Sequence, residues 1–364
     1  MKLQTTIINA LKINTSKRTL WVDYAKAFGI MLVVYGHVSR GLYKAQIPMN
    51  ETLFKLIDTV IYSFHMPLFF FLSGLFFVSS LHKRGLKGLV ANKLDSIFYL
   101  YVIWSVLQGG IALIFQQWTN NNVTPNEIFS LFLEPRVQFW FLYALFFIIL
   151  VSAFIFAKID QKYALALFLL SSLIVIFNIP NYSFTPLIYV LPNLCFFIFG
   201  IYFNQIDSFF STNKYKLMLP LTVLFAGMHW LSLTQLNIAP DYSLSTIKLA
   251  TTLISILFSV NLCMCLADKP LKLLSTIGAS SMVIFLVHVI TGSGTRIVLQ
   301  HFLGISNYWL HITLGCLMGL FGSMLLAKLL SKIGLSFLFE IPVQFSLERK
   351  FTELCVKSPK AKNQ

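Results

Sequence analysis

The stretch QFWFLYALFFIILVSAFIFA, residues 138–157, contains twenty residues and no charged side chain. A helix rises about 1.5 Å per residue, so these residues match the thickness of a bilayer's hydrocarbon core, about 30 Å. A charge-free run of this length predicts a helix that crosses a membrane.

This run is one of ten apolar segments bounded by polar or charged breaks. Together they predict an all-α, polytopic transmembrane bundle of about ten helices. We expect one transmembrane domain over residues 20–343, between an N-terminal segment at 1–19 and a basic, solvated tail at 344–364. The segments are 20–39, 56–79, 96–116, 138–157, 163–178, 187–204, 217–235, 247–266, 276–293 and 308–330.

Composition supports the same fold class. Hydrophobic residues make up 57% of the 364 residues and charged residues 11%, whereas soluble domains carry about 25% charged residues. The chain is therefore neither a water-soluble globule nor disordered, since disorder requires low hydrophobicity. The net charge of +15 is attributed to basic cytoplasmic loops and not to nucleic-acid binding.

The distribution of Lys and Arg predicts the orientation. If the N-terminus is cytoplasmic, 21 of these residues fall on inner segments and six on outer ones. This bias predicts that both termini are cytoplasmic, as expected for a multi-pass protein of a bacterial inner membrane. The five cysteines are scattered, and Cys263 and Cys265 would face different ways on a helix, so neither a disulfide framework nor a metal site is expected.

The first apolar run carries charged and titratable residues at membrane depth. At about 100° per residue, Lys26 and His37 lie about 20° apart on a helix, and Asp23 lies about 60° from Lys26. His37 is about 16 Å further along the axis. A polar stripe of this kind indicates a wet or ligand-filled seam. Two simpler interpretations stay open: Asp23 and Lys26 neutralise each other as an i,i+3 pair, and His37 is structural.

Other apolar runs also contain polar residues. His65 precedes Pro67 in the second run, and Pro67 is explained equally well by a structural kink. Gln138 and Trp140 begin the fourth run just after Arg136, where Trp140 could instead be an interfacial anchor. In the ninth run, His288 requires a polar partner, and the run is followed by Arg296.

Several of these motifs resemble the membrane acyltransferase 3 family. Lys26, ten residues and then His37 resemble its Arg/Lys-X10-His motif, with Lys where Arg is commoner. The Phe64–Gly74 stretch resembles the family's second helix, and Phe139–Leu142 resembles its Trp-Phe-Leu segment. The resemblance spans about residues 20–330 and is strongest to the branch of fucose 4-O-acetylase-like proteins.

The resemblance implies transfer of an acyl group, usually acetyl, from cytoplasmic acyl-CoA to a hydroxyl of a cell-surface or lipid-linked carbohydrate. Acyl-CoA is then a co-substrate, and no permanently bound cofactor is expected. His37 would be the general base, with Asp23 orienting or neutralising Lys26; a covalent acyl-His37 intermediate stays open. The anionic CoA would be held by Lys26, Lys83, Arg84, Lys87 and Lys93. The acceptor or the developing oxyanion would be held by His65, Gln138, Trp140, His288 and Arg296.

Two other functions fit the polar stripe. In a proton-coupled transporter or flippase of a lipid-linked sugar, Asp23, Lys26 and His37 would form a proton relay. Internal inverted symmetry would favour that function, and the sequence shows none. In a membrane scaffold or sensor, the same residues would only fix helix packing. Membrane lipid surrounds the chain in all three cases.

Overall fold

A computed structural model describes residues 17–118, 124–177, 185–235 and 241–357. These residues form helices and connecting turns, without a β-strand among them. The predicted all-α class is therefore confirmed. Most of the predicted N-terminal segment, residues 1–16, lies outside the described residues. The helices are α1 Lys17–Lys44, α2 Glu51–Leu75, α3 Phe77–Lys93, α4 Tyr99–Ile114, α5 Pro125–Phe129, α6 Trp140–Phe156, α7 Ala164–Ile176, α8 Thr185–Phe203, α9 Asp207–Gln235, α10 Asp241–Leu266, α11 Lys272–Ala279, α12 Ser281–Ile297, α13 Tyr308–Leu317, α14 Ser323–Lys332 and α15 Leu347–Lys357.

All ten predicted apolar runs fall on helices. Seven helical segments in the described part of the chain are long and apolar enough to cross a membrane, and two shorter apolar helices accompany them at Gln161–Ile176 and Leu187–Phe203. The first run lies on α1, which has 28 residues. Two predicted runs are interrupted, one at Phe76 between α2 and α3 and one at Ser280 between α11 and α12. The number of helices that cross the membrane stays a prediction.

Helix α1 lies at the centre of the bundle, where it packs against α2, α10, α11, α12 and α13. Its residues Ala25, Ala27, Ile30 and Val34 are completely buried. Small and stiff side chains let several helices approach α1 closely without losing rotamer freedom. The polar side chains of α1 therefore lie among other helices.

Glycines permit the closest helix contacts. A Cβ on Gly74 of α2 or on Gly200 of α8 would overlap a backbone carbonyl of the opposite helix. Gly315 and Gly319 contact Val38 and Val34 of α1. This small-xxx-small pair therefore packs within the chain, in agreement with its spacing in the sequence.

The C-terminal region differs from the solvated tail expected from its composition. Residues 347–357 form α15, which packs on α3. The side chain of Asp95 is buried and accepts hydrogen bonds from Ser346 Oγ at 2.8 Å and from the backbone N–H groups of Leu347 and Glu348 at 3.1 and 3.0 Å. A carboxylate at a helix N-terminus satisfies N–H groups that have no partner within the helix.

Candidate active site

Helix α1 presents Asp23, Lys26 and His37, the three residues of the predicted stripe. The helix is continuous from Lys17 to Lys44, so His37 lies about 16 Å along the axis from Lys26. Lys26 Nζ lies 3.6 Å from Asp23 Oδ1, and the Lys26 side chain is 35% exposed. The two charges pair, but Lys26 keeps enough exposure to contact a ligand.

A cavity of about 340 Å³ opens beside Lys26. This volume lies at the small end of the range for ligand pockets, which runs from about 300 to 1,000 Å³. Its wall combines two ammonium groups, Lys26 and Lys93, with four serines and a larger apolar surface. The cavity can hold a narrow, mostly apolar chain with an anionic group near the lysines. The serines are Ser73, Ser80, Ser96 and Ser281; the principal aromatic side chains are Phe69, Phe76, Phe77, Phe141 and Phe285.

Three aromatic rings of the cavity wall contact one another, and one of them contacts a histidine. Phe69 lies 5.9 Å from Phe141, and Phe141 lies 5.5 Å from Phe285, between ring centroids. The Phe285 ring is in turn 6.1 Å from the ring of His288. His37 is not among the residues that line the cavity. The cavity wall therefore reaches the histidines at Phe285.

Three histidines from three helices lie near one another. The rings of His37 on α1 and His288 on α12 lie 5.0 Å apart between centroids, with their planes at 66°. His65 on α2 is a further electrostatic neighbour of His37. His65 Nδ1 donates to the carbonyl of Ile61 at 2.8 Å. The sequence predicted these histidines one by one, and the fold brings them together.

A charged pair that the sequence analysis did not single out lies next to the histidines. Arg40 Nε and Nη2 donate to the two carboxylate oxygens of Asp58 at 2.7 and 2.8 Å, and the guanidinium lies 3.1 Å from the centre of the Tyr62 ring. Tyr62 is 4.5 Å from His65. Asp58, Tyr62 and His65 follow the i, i+4, i+7 spacing of one helix face, which is the signal that could have found them.

Gln138 is connected to the histidine region through a second glutamine. Its Nε2 donates to Gln108 Oε1 at 2.7 Å, and Gln108 Nε2 donates to the carbonyl of Leu286 at 2.7 Å. Leu286 is two residues before His288 on α12. Gln108 was missed by the sequence analysis, although an amide inside the apolar run 96–116 was a usable signal.

Two of the predicted substrate-binding residues lie elsewhere. The ring of Trp140 stacks with Tyr189 at 5.7 Å and contacts Phe70 at 6.2 Å. Arg296 is buried two helical turns after His288; it donates to Gln300 Oε1 at 2.8 Å and to the carbonyl of Trp118 at 3.0 Å. The second contact joins α12 to the turn that follows α4.

The predicted CoA-binding cations separate into two groups. Lys26 and Lys93 line the cavity, whereas Lys83 and Lys87 are exposed on α3 and lie outside its wall. Arg84 on the same helix donates to Glu348 Oε1 of α15 at 3.1 Å and to Ser80 Oγ at 3.1 Å. Since Ser80 lines the cavity, Arg84 lies beside the cavity wall.

A known family matches most of the chain. The model of the acyltransferase 3 family, described as an acyltransferase domain, matches residues 19–328. The chain belongs to this family of membrane acyltransferases. No curated protein and no solved structure gives a significant match to the chain.

The matched region contains every element of this acyltransferase's cavity and histidine cluster. It includes α1 with Lys26 and His37, and α12 with His288. Helix α15, which carries Glu348, lies beyond the matched residues. The protein is thus a multi-pass membrane acyltransferase, and α15 is a contact partner of its core that the family model does not cover.

Proposed function

We propose that this acyltransferase moves an acyl group, most simply acetyl, from cytoplasmic acyl-CoA to a hydroxyl of a cell-surface or lipid-linked carbohydrate in the bacterial inner membrane. The observation that carries the proposal is the cavity with Lys26 and Lys93 in its wall, which ends at Phe285 against His288. A charged entrance, an apolar interior and an imidazole beyond it suit a thioester donor and a hydroxyl acceptor.

The donor fits the dimensions of the cavity. A volume of about 340 Å³ accommodates a pantetheine arm and a small acyl group, but not the nucleotide of CoA. The nucleotide phosphates would remain at the entrance, where Lys26 and Lys93 offer ammonium groups and where Lys83, Arg84 and Lys87 lie along α3. The thioester would then lie near Phe69 and Phe285.

The acceptor would approach the thioester from the side of the histidines. A hydroxyl is a weak nucleophile at neutral pH, and a positioned general base typically contributes a factor of about 10²–10⁴. We assign this function to His37, because its ring lies beside His288 and near His65. His65 and the Gln138–Gln108 pair supply hydrogen-bonding groups for a carbohydrate.

Two measurements test the proposal. Purified protein supplied with radiolabelled acetyl-CoA and a panel of surface glycans should transfer label to at least one acceptor. Mass spectrometry of surface glycans from cells with and without the protein should show an added acyl mass only in its presence. Absence of transfer to every acceptor, with no change in glycan mass, would overturn the proposed substrates.

Mutation of the base tests the mechanism independently of the acceptor. His37→Ala should lower kcat by a factor of about 10²–10⁴ and leave the KM for acetyl-CoA nearly unchanged. Normal turnover by His37→Ala would overturn the mechanism while leaving the family assignment intact.

A further inference from the structure

The protonation pattern of His288 is determined by its own helix. Its Nδ1 lies 3.0 Å from the carbonyl oxygen of Ile284 and 2.8 Å from that of Phe285. Carbonyl oxygens only accept hydrogen bonds, so Nδ1 carries a proton. In the neutral imidazole the lone pair is then on Nε2. The ring presents an acceptor to its surroundings.

This acceptor is buried without a partner. His288 is 1% exposed, and its Nε2 has no hydrogen-bond partner among the described residues. Buried polar atoms are nearly always hydrogen-bonded, and a catalytic role is one of the reasons for an exception. What distinguishes Nε2 of His288 is its position beside the ring of His37.

The ring of His37 is placed to supply a donor to Nε2. A hydrogen bond of about 2.9 Å between two imidazole nitrogens corresponds to ring centroids about 5 Å apart, and the observed separation is 5.0 Å with an interplanar angle of 66°. His37 makes no hydrogen bond to a described residue. At this separation, an N–H of His37 that points toward Nε2 would lie within hydrogen-bonding distance of it.

We propose that His288 is the positioning residue of His37: its Nε2 accepts the N–H of His37 and so directs the other His37 nitrogen, with its lone pair, at the acceptor hydroxyl. This inference rests on the proposed function. His288 was expected from the sequence to hold the acceptor or the developing oxyanion. An Nε2 without a proton cannot donate a hydrogen bond to an oxyanion, so that part of the expectation is replaced. His288 Nε2 therefore accepts a hydrogen bond from His37.

The reaction balances with these two imidazoles. The hydroxyl oxygen attacks the thioester carbon while His37 takes the hydroxyl proton, and the resulting imidazolium donates to His288 Nε2. A C–O bond forms and the C–S bond breaks, so the sulfur leaves as a thiolate. His37 then returns its proton to the sulfur, which gives the ester and the free CoA thiol.

Two substitutions of His288 distinguish the function of Nε2 as a hydrogen-bond acceptor from that of Nδ1, which binds the carbonyls of its own helix. In His288→Asn, the amide nitrogen replaces Nδ1 and keeps the bonds to Ile284 and Phe285, but no atom remains at the place of Nε2. In His288→Gln, the amide oxygen reaches the place of Nε2. We expect kcat to fall on the order of 10²-fold in His288→Asn, with the KM for acetyl-CoA within about twofold. His288→Gln should recover about tenfold of that loss.

A second buried histidine provides a matched control. His311 on α13 is also 1% exposed, its Nε2 contacts the carbonyl of Ile305 at 2.8 Å, and its Nδ1 has no partner in the described part of the chain. His311→Gln keeps the bond to Ile305 and removes the free nitrogen. We expect wild-type kcat in this variant and equal amounts of folded protein, measured by size-exclusion chromatography in detergent.

The possible results distinguish the positioning function of His288 from the proposed function of the enzyme. An unchanged kcat in His288→Asn, or equal losses in His288→Asn and His288→Gln, overturns the positioning function of His288. In either case an inactive His37→Ala would leave the proposed function standing. A wild-type protein that transfers no acyl group overturns the proposed function itself.

Discussion

Lys26 and His37 are the two site residues whose relative placement follows from helix geometry alone. Eleven steps of about 100° return nearly to the same face, and α1 is continuous through both residues. The charge at the cavity and the imidazole at the histidine cluster are therefore local consequences of the sequence. The surroundings of the two side chains do not follow from the local sequence, because α2, α3 and α12 supply them.

The first prediction concerns the charge in the cavity wall. Lys26→Ala should raise the KM for acetyl-CoA about tenfold, as expected for the loss of one charge-assisted contact of about 1.5 kcal/mol, with a smaller change in kcat. Lys26→Arg should stay near wild type because the charge is kept. Steady-state kinetics with purified protein provide the measurement.

Lys162→Ala is the control for this prediction. It removes the same charge at an exposed position on the side of the chain that is predicted to be cytoplasmic, away from the cavity. An equal rise in KM in Lys162→Ala would show that the effect arises from net charge, and the cavity would lose its assignment as the donor site.

The residues that sequence reasoning missed are those whose meaning depends on a partner helix. Arg40 continues the stripe of α1, but only its packing on α2 shows that Asp58 holds it in a bidentate pair. Gln108 became informative once its amide was found between Gln138 and α12. Such pairs depend on which helices are neighbours, and periodicity within one helix carries no information about neighbours.

At the scale of elements, α15 is the least predictable part of the fold. The C-terminal region that contains it, from about residue 344, is polar and basic, which is typical of a solvated tail. It becomes a docked helix through Asp95, which binds its N-terminus, and through Phe351, which packs against Gly88 of α3. Both contacts join residues more than 250 positions apart, so no local sequence pattern predicts them.

The docking of α15 leads to the second prediction. Glu348 Oε1 accepts a hydrogen bond from Arg84, and Glu348 Oε2 accepts one from Asn92 at 2.9 Å. The Glu348 carboxylate therefore neutralises Arg84, which lies beside the proposed donor site. Glu348→Gln should lower the KM for acetyl-CoA by about twofold to fivefold, since partly exposed ion pairs are worth about 0.2–1 kcal/mol. The effect should shrink in high salt because charges at the surface are screened.

Glu353→Gln provides the comparison on the same helix. Glu353 pairs with Arg349 at 2.8 Å, and both side chains are more than half exposed. Its substitution removes the same charge from α15 without releasing Arg84, and we expect an unchanged KM. A higher KM in Glu348→Gln would instead mean that the carboxylate orients Arg84 for the donor.

For the whole molecule, the third prediction concerns the contact of α2 with α8. Because Gly200 faces the backbone carbonyl of Phe71, no rotamer change can make room for a Cβ. Gly200→Ala should lower the free energy of unfolding by about 1–3 kcal/mol, the usual cost of overpacking. Thermal unfolding in detergent measures the loss.

Gly227→Ala on α9 is the control, because a Cβ at this position meets nothing within 4 Å. This variant should unfold at or slightly above the wild-type temperature because alanine favours a helix.

The fourth prediction concerns the orientation of the bundle. The bias of 21 basic residues over six predicts both termini in the cytoplasm, which would place the entrance beside Lys26 and α3 on the side where acyl-CoA is made. A green fluorescent protein fused after Gln364 should fluoresce, and alkaline phosphatase fused at the same position should be inactive. Phosphatase fused after Met49, in the predicted outer segment between α1 and α2, should be active. The reverse pattern would open the cavity to the outside, where no acyl-CoA is available, and the donor would then have to be a different, membrane-borne thioester.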